Sequence, residues 1–283
     1  MLENVKIIAD SSSDLMAMAE ADYASVPLKI TAGDYTWSDD EHVNLDHMLE
    51  FLRSHKGPSS SACPSPEEWR EAFSDAQHVF CITITSGLSG CYNSACLAAR
   101  QYQEDYPDRR VYVIDSLSTG PEMALIAQKL AELCQSCDCF DMVVREITAY
   151  QKRTHLTFAL QSLHNFVANG RISPVVGAMV GAMVGMLGIR IVGVASEQGT
   201  LQPMAKCRSD RKAIAEIVKV MKERGFNGGK VIIDHCRNLD IANTMKEAIL
   251  SVWAEAKVTI GKTHALCSFY AEEGGMLVGF ESA

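Results

Sequence analysis

Three hydroxyl-rich turns each follow an apolar, strand-like run in the first half of this 283-residue chain. They begin at Asp10, Thr85 and Asp115 and read DSSSD, TSGLSG and DSLSTG, respectively. Where a strand passes into a helix through Ser and Gly, unpaired backbone N–H groups and the helix dipole favour an anionic oxygen. In an open α/β sheet such turns lie at the carboxyl ends of the strands, where ligands bind. The pattern predicts a site for a small anionic group.

The turn at residues 85–90 is compatible with only some kinds of chemistry. It lacks the second Gly of the G-x-S-x-G motif that presents a nucleophilic serine. It also lacks the Lys that follows the glycines of a P-loop. Two interpretations remain open. Ser86, Gly87 and Ser89 form a cradle of hydroxyl and amide groups for a carboxylate or phosphate oxygen, or the segment only caps the next helix.

Two further segments could contribute to the same site. Ser61 lies in the run SSSACPSP at residues 59–66, which is either the capped start of a helix or a second set of hydroxyls. Arg171 lies in the run NGRIS at residues 169–173, which is either a surface turn or a source of positive charge beside the anion. Arg suits the second role because its guanidinium group binds oxyanions through two hydrogen bonds.

The elements that would position these residues alternate between strand and helix over the first half of the chain. Such alternation predicts parallel βαβ units. We expect strands at 5–10, 26–31, 79–85, 111–114 and 154–159, and helices at 14–21, 45–54, 66–74, 92–102, 122–134 and 141–151. We place the end of this α/β domain at residue 155.

Beyond residue 155 the pattern of elements changes. An apolar helix precedes a pair of strands joined by a turn at 197–199, and single strands and helices follow. We expect strands at 189–195, 201–206, 231–235, 258–262 and 276–280, and helices at 174–189, 210–224 and 241–253. Residues 156–283 are therefore expected to form a mixed α+β domain, and the fold class is α/β with two domains.

The apolar run at 174–189 is the one candidate for a membrane span in the sequence. Its glycines recur at every fourth position, which permits close packing of a helix in a membrane or against a sheet. A bilayer core requires about 20 apolar residues, and Arg190 ends this run earlier. Ser173 is a good N-cap and Pro174 a good first helical residue, so we expect an ordinary buried helix.

Composition narrows the class of protein. Hydrophobic residues make up 47% and charged residues 22% of the chain, as in folded globular proteins. The net charge of −9 argues against a nucleic-acid partner. Ten cysteines without a secretory signal indicate reduced thiols in a cytoplasmic protein. Cys134, Cys137 and Cys139 could offer three thiolates to a metal, but a structural zinc site usually has four ligands, so we expect no metal.

Taken together, the segments resemble the DegV family of bacterial fatty-acid-binding proteins over essentially the whole chain. The resemblance is carried by residues 10–14, 61–66, 85–90, 115–116, 170–173 and 206–208. The serine–glycine turn and the Gly-Arg-Ile-Ser segment are the most specific of these. The resemblance implies two α/β domains that clasp one fatty acid, with the acyl tail buried in the first domain and the carboxylate near the domain junction.

The resemblance also implies roles for individual residues. Ser61, where the family usually has Thr, would bind the carboxylate, and Ser86 would do so with support from Ser89 and the loop amides. His264 stands where the family commonly has a His followed by Gly-Pro-Gly; here Ala265 follows it, so an unpaired histidine in the core or at a strand end is the alternative. Cys63 replaces the usual Gln, which could change the acyl preference.

Members of the resembled family present their fatty acid to a separate kinase subunit, which forms an acyl phosphate from ATP. This chain has no Walker motif, kinase signature or acidic metal set, so we expect a carrier without cofactor or activity of its own. Lys206 and Arg208 would dock the kinase, or they only flank a solvated helix start. The alternatives are a serine hydrolase or acyl transferase, with Ser86 or Ser89 as nucleophile and His264 as base, and a lipid-sensing regulator.

Overall fold

The computed structural model of the chain describes residues 2–172 and 188–283. The predicted apolar helix lies almost wholly outside those ranges, as do Ser173, Pro174 and the three glycines that follow at every fourth position. Within the described ranges, no helix combines the length and the apolar character that crossing a bilayer requires.

Four parallel strands form the sheet of the N-terminal half, in the order β2-β1-β6-β7. The strands are β1 (Val5–Asp10), β2 (Tyr23–Val26), β6 (His78–Thr83) and β7 (Arg110–Asp115). The helices around them are α2 (Pro66–Phe73), α3 (Cys91–Asp105), α4 (Pro121–Ser136) and α5 (Phe140–Gln151). Alternate residues of β1 face opposite sides: Ile8 packs towards α2 and α3, whereas Ile7 packs towards α4 and α5. Helices cover both faces, as the run of apolar residues in each strand requires.

Two predictions for the first 31 residues are wrong. In place of the helix predicted at 14–21, a single 3₁₀ turn at Ser11–Ser13 ends at Asp14, whose φ of 57° is left-handed and cannot continue a helix. The strand predicted at 26–31 is divided, because β2 ends before Pro27, which has no N–H to donate.

A small antiparallel sheet follows β2 and supplies one of the candidate residues. It has the order β4-β3-β5, with β3 (Lys29–Ala32), β4 (Tyr35–Ser38) and β5 (Ser59–Ala62), and α1 (Leu45–Ser54) lies between β4 and β5 in the chain. The serine run predicted as a loop is therefore partly a strand, and Ser61 pairs with Ile30 in the central strand of this sheet.

The C-terminal half contains a mixed sheet of six strands in the order β10-β9-β8-β13-β11-β12, in which only β11 and β12 are parallel. The strands are β8 (Thr154–Leu160), β9 (Arg190–Ala195), β10 (Leu201–Cys207), β11 (Lys230–His235), β12 (Lys257–Lys262) and β13 (Met276–Glu281). The helices described here are α6 (His164–Ala168), α7 (Asp210–Glu223), α8 (Leu239–Val252) and α9 (Ala265–Ala271). The predicted α/β class with a mixed C-terminal half is confirmed.

The two halves share α4, which packs against strands β1 and β6 of the parallel sheet and against β8, β11 and β13 of the mixed sheet. Thr154, the first residue of β8, donates a hydrogen bond of 2.8 Å to the buried carboxyl group of Glu122 in the first turn of α4. The boundary predicted after residue 155 falls inside β8. The division into domains 1–155 and 156–283 stays a prediction.

Candidate functional site

A largely apolar cavity lies between the loops that follow β6 and β7 and one face of the mixed sheet. It encloses about 790 Å³ of space, a volume that includes the open solvent at its mouth. Leu156, Phe158 and Leu160 of β8 line it, since alternate residues of a strand share one face. The intervening Ala159 faces the core formed with α7 and α8. The far wall includes Leu88 and other leucines of the loops and of α9.

The polar lining of the cavity consists mainly of hydroxyl groups. They belong to Ser61, Thr85, Ser89, Ser118, Thr119, Thr200 and Tyr270. Arg171 supplies the one charged side chain among the described lining residues. Within the described ranges no hydrogen bond or ion pair to its guanidinium group is present. The cavity therefore combines an apolar interior with hydroxyl donors and one cation.

Two of these hydroxyls bond to each other. Ser61 Oγ and Tyr270 Oη are 2.8 Å apart, joining β5 to α9. The Tyr270 ring packs on Phe166 of α6, with ring centroids 4.7 Å apart. Asn165 Nδ2 donates to the backbone oxygen of Phe269 at 2.6 Å, which fixes α6 against α9. The Ser61 hydroxyl is thus held at the place where β5, α6 and α9 meet. Arg171 follows the end of α6 by three residues.

The turn at 85–90 is organised by Thr85, which is buried. Its backbone oxygen accepts hydrogen bonds from the N–H groups of Leu88 and Ser89, each at 3.2 Å. Its hydroxyl accepts from the Gly87 N–H at 3.1 Å and donates to the backbone oxygen of Gly199 at 2.8 Å. Because Gly199 lies in the turn between β9 and β10, this last bond ties the serine–glycine turn to the mixed sheet.

Gly199 is required at that contact. Its φ is +69°, and a Cβ atom there would lie 1.9 Å from Thr85 Oγ1. A side chain would therefore collide with the serine–glycine turn as well as strain the backbone.

The structure separates the two serines of the turn. Ser89 lines the cavity, and its Oγ accepts the N–H of Cys91 at 3.3 Å at the start of α3. Ser86 and Gly87 are exposed and are not among the lining residues. The Ser86 N–H donates to Asp115 Oδ1 at 3.0 Å, which ties this residue to the end of β7.

The first of the three hydroxyl-rich turns has a structural role in the fold. Asp10 accepts hydrogen bonds from the N–H and hydroxyl of Ser12 and from the Ile84 N–H, which joins the ends of β1 and β6. Burial raises the pKa of Asp10 to about 6, although these donors oppose the shift. The Ser11 hydroxyl accepts the Leu28 N–H at 3.0 Å. Ser11 and Ser12 are buried and do not line the cavity.

His264 is paired with a carboxylate, contrary to the alternative of an unpaired histidine. It precedes α9, and its Nδ1 lies 2.5 Å from Oδ1 of the fully buried Asp39. Its backbone N–H donates to Asp14 Oδ1 at 2.6 Å. Burial raises the pKa of Asp14, and the nearby Asp234 and Asp39 add to this effect. His264 is not a lining residue, and within the described ranges no hydrogen bond joins it to Ser86 or Ser89.

Lys206 and Arg208 are exposed at the end of β10 and are not among the lining residues of the cavity. Ser209 caps α7 by accepting the N–H of Lys212 at 3.3 Å. The segment is thus both a helix start and a basic surface. Over the described residues, no three His, Cys, Asp or Glu side chains are grouped so that they could hold a metal ion.

Sequence reasoning missed Tyr270 and Asp39. Tyr270 lies in α9, a seven-residue helix that was not predicted because it is too short for a clear periodic pattern. Asp39 is adjacent to Asp40 in an acidic segment and carries no local signal of its partners, which are 225 to 227 residues away in the chain.

Comparisons with known proteins identify the family. A family described as "Uncharacterised protein, DegV family" matches residues 4–282. A DegV domain-containing protein of Streptococcus pneumoniae is 41% identical over 98% of each chain. A DegV family protein from Eubacterium eligens, solved loaded with heptadecanoic acid, is 37% identical with a TM-score of 0.95, covering 99% of this chain and 100% of its own.

The Fatty Acid Kinase (Fak) B3 protein of Streptococcus pneumoniae, solved loaded with linoleic acid, is 40% identical to this chain. Its TM-score is 0.94, and all of both chains is covered. The sequence match and the shared fold both extend over nearly the full length. The chain belongs to the DegV family.

Proposed function

We propose that this chain binds one long-chain fatty acid in the cavity and presents its carboxyl group to a separate kinase for conversion to an acyl phosphate. One observation carries the proposal: a largely apolar cavity has hydroxyl groups and one arginine among its described lining residues. The proposal is also supported by two similar proteins whose structures were solved with a fatty acid bound.

The two parts of a fatty acid require different surroundings. Each CH₂ group transferred from water to an apolar wall contributes about 0.8 kcal/mol, so the tail supplies most of the affinity. Leu156, Phe158 and Leu160 offer such a wall. A buried carboxylate is costly unless hydrogen bonds and charge compensate it. The hydroxyl groups and Arg171 supply that compensation.

We assign the carboxylate to Ser61, Ser89 and Arg171, which all line the cavity. The Ser61 hydroxyl can donate to the ligand while it accepts from Tyr270. Direct contacts from Gly87 and His264 stay predictions, and the variant Ser86→Ala described below tests the contact that the sequence predicts for Ser86. No cofactor is needed for this role, since the fatty acid is the only ligand that the proposal requires.

The kinase role is inferred from the relative described as a Fatty Acid Kinase (Fak) B3 protein. We propose that the chain is not itself an enzyme and that Lys206 and Arg208 form part of the surface that docks the kinase. Both are exposed on a protein with a net charge of −9, so they offer a local site for an acidic partner surface. A hydrolase role has less support. A general base must reach the serine that it activates, whereas His264 bonds to Asp39 and, within the described ranges, to neither Ser86 nor Ser89.

Paired serine variants test the head-group assignment. Ser89→Ala should weaken fatty-acid binding about tenfold, because a buried carboxylate that loses one donor costs about 1–3 kcal/mol. Ser61→Ala should act in the same direction. Ser86→Ala is the matched control from the same turn and should change affinity by less than about twofold, because Ser86 is exposed.

The measurement is competition between unlabelled oleic acid and a fluorescent fatty acid, with circular dichroism as the check that each variant is folded. Unchanged affinity in both Ser61→Ala and Ser89→Ala would place the carboxylate elsewhere. A larger loss in Ser86→Ala than in Ser89→Ala would reverse the assignment within the turn.

A further inference from the structure

Two cysteines flank the proposed carboxylate site. Cys63 is exposed just after β5, and Cys91 is buried as the first residue of α3. Each lies two residues beyond a serine of the cavity lining, Ser61 and Ser89, respectively. A Cβ atom added to Gly90 would lie 3.3 Å from Cys63 Sγ, so the Cys63 sulfur rests against the start of α3.

Hydrogen bonds give the two sulfurs different properties. The Ser89 hydroxyl donates to Cys91 Sγ at 3.2 Å. A hydrogen bond from the Cys91 thiol lowers the pKa of Cys63 to about 6; burial opposes this shift, Arg171 adds to it and Glu68 opposes it. The same hydrogen bond, together with burial, raises the pKa of Cys91. An accessible thiolate therefore faces a buried, protonated thiol.

We propose that Cys63 and Cys91 form an oxidation site for small hydroperoxides, in which Cys63 is the attacking thiol and Cys91 the resolving thiol. The accessible Cys63 sulfur meets the oxidant, and it lies against Gly90, the residue that directly precedes Cys91. This is the arrangement that redox-active cysteine pairs require. The chemistry of the pair does not depend on the proposed function.

The reaction proceeds in two balanced steps. The Cys63 thiolate attacks the O–O bond of the hydroperoxide ROOH, and with one proton from solvent the products are the sulfenic acid Cys63–SOH and the alcohol ROH. The Cys91 sulfur then attacks the Cys63 sulfur, and the Cys91 proton and the sulfenic hydroxyl leave as water. The two cysteines are oxidised by two electrons in total, and the hydroperoxide is reduced. The sulfurs end about 2.05 Å apart.

A consequence for the ligand rests on the proposed function. The disulfide would join the chain just after Ser61 to the chain just after Ser89, and it would break the contact between Ser89 and the Cys91 thiol. Cross-linking the two segments that hold the carboxylate should slow exchange of the fatty acid. We expect at least a tenfold lower exchange rate in the oxidised protein.

Peptide mapping of the full chain after exposure to hydrogen peroxide is the primary test. The wild-type protein should yield one disulfide that links the peptides of Cys63 and Cys91. In Cys91→Ala, dimedone should trap a sulfenic acid at Cys63, and Cys63→Ser should yield no such disulfide. Cys139→Ser removes another exposed cysteine and should leave the disulfide unchanged. Oxidation of a different cysteine first, or no disulfide in the wild-type chain, would overturn the proposal. The disulfide is mapped in the wild-type protein, so this result does not depend on whether a variant folds.

The pH dependence of alkylation gives an independent test. With a pKa of about 6 against about 8.5 for a free cysteine, Cys63 has far more thiolate at pH 6, but each thiolate is less nucleophilic. Cys63 should react with iodoacetamide about tenfold faster than a cysteine peptide at pH 6 and at a similar rate at pH 7.5. The same rate ratio at both pH values would contradict the thiolate assignment.

Exchange of a fluorescent fatty acid separates the proposals. If the reduced protein binds no fatty acid, the proposed function fails and the thiol chemistry stands. If it binds, and the mapped disulfide leaves the exchange rate unchanged, the effect on the ligand is wrong. Cys63→Ser should exchange at the same rate before and after peroxide.

Discussion

Replacing Asp39 by Asn tests the polar contacts that hold His264 and α9. Asp39 is fully buried. Its Oδ1 accepts hydrogen bonds from His264 Nδ1 at 2.5 Å and from the Ala265 N–H at 2.8 Å, and its Oδ2 accepts the Leu266 N–H at 3.0 Å. Asn retains one acceptor oxygen but turns an amino group towards the other donors. At least one buried N–H group therefore loses its partner.

The cost can be worked from these bonds. A buried donor without a partner costs about 1–3 kcal/mol, and hydrogen bonds to a neutral acceptor are weaker than those to a carboxylate. We expect Asp39→Asn to lower the free energy of unfolding by about 3 kcal/mol. It should also weaken fatty-acid binding, because α9 carries Leu266 and Tyr270 of the cavity lining.

Urea unfolding followed by circular dichroism measures the change. Asp40→Asn is the matched control, since the Asp40 side chain accepts the His42 N–H in an exposed turn and no other hydrogen bond from the described residues. The control should differ from wild type by less than about 0.5 kcal/mol. Equal midpoints for Asp39→Asn and Asp40→Asn would refute the role given to Asp39.

Three further changes test other parts of the structure. Burial raises the pKa of Glu122 from 4.5 to about 7. Between these pH values the folded state retains a proton that the unfolded state loses. Glu122 therefore lowers the free energy of unfolding as the pH rises from about 4.5 through 7. Glu122→Gln should therefore stabilise the protein about 2.5 kcal/mol more at pH 8 than at pH 5 in urea unfolding, and an equal effect at both pH values would contradict the shift. Gly199→Ala should cost about 3 kcal/mol in the same assay, because the new Cβ atom meets Thr85; an unchanged midpoint would mean that the turn can move away. Replacing both Lys206 and Arg208 by Glu should leave fatty-acid affinity unchanged. It should slow acyl-phosphate formation by an added kinase with ATP, and the effect should be largest at low salt. An unimpaired rate would show that these two residues are not part of the docking surface.

The βαβ half of the fold could be predicted because its signals are local. The strands β1, β6 and β7 are continuous apolar runs between turn residues, and the capping box at Ser65 and Glu68 marks the start of α2 in the sequence itself. The pair β9 and β10 was predicted for the same reason, from a Gly-containing turn between two apolar segments.

The site depends on contacts that no local pattern records. Ser86 and Ser89 are identical in type and three residues apart, yet only Ser89 lines the cavity. Asp115 accepts the Ser86 N–H, and Thr85 joins the turn to Gly199. These partners come from another strand and from the other half of the chain. Contacts between segments that are far apart in the chain thus shape the turn that carries both serines.

Native mass spectrometry of the chain purified from bacteria tests the central claim most directly. The account predicts a dominant species heavier than the polypeptide by one fatty acid, which denaturation releases and which lipid analysis of the extract identifies. Delipidated protein should return to that mass when one equivalent of oleic acid is added. A spectrum of the bare polypeptide alone, before and after this addition, would contradict fatty-acid binding.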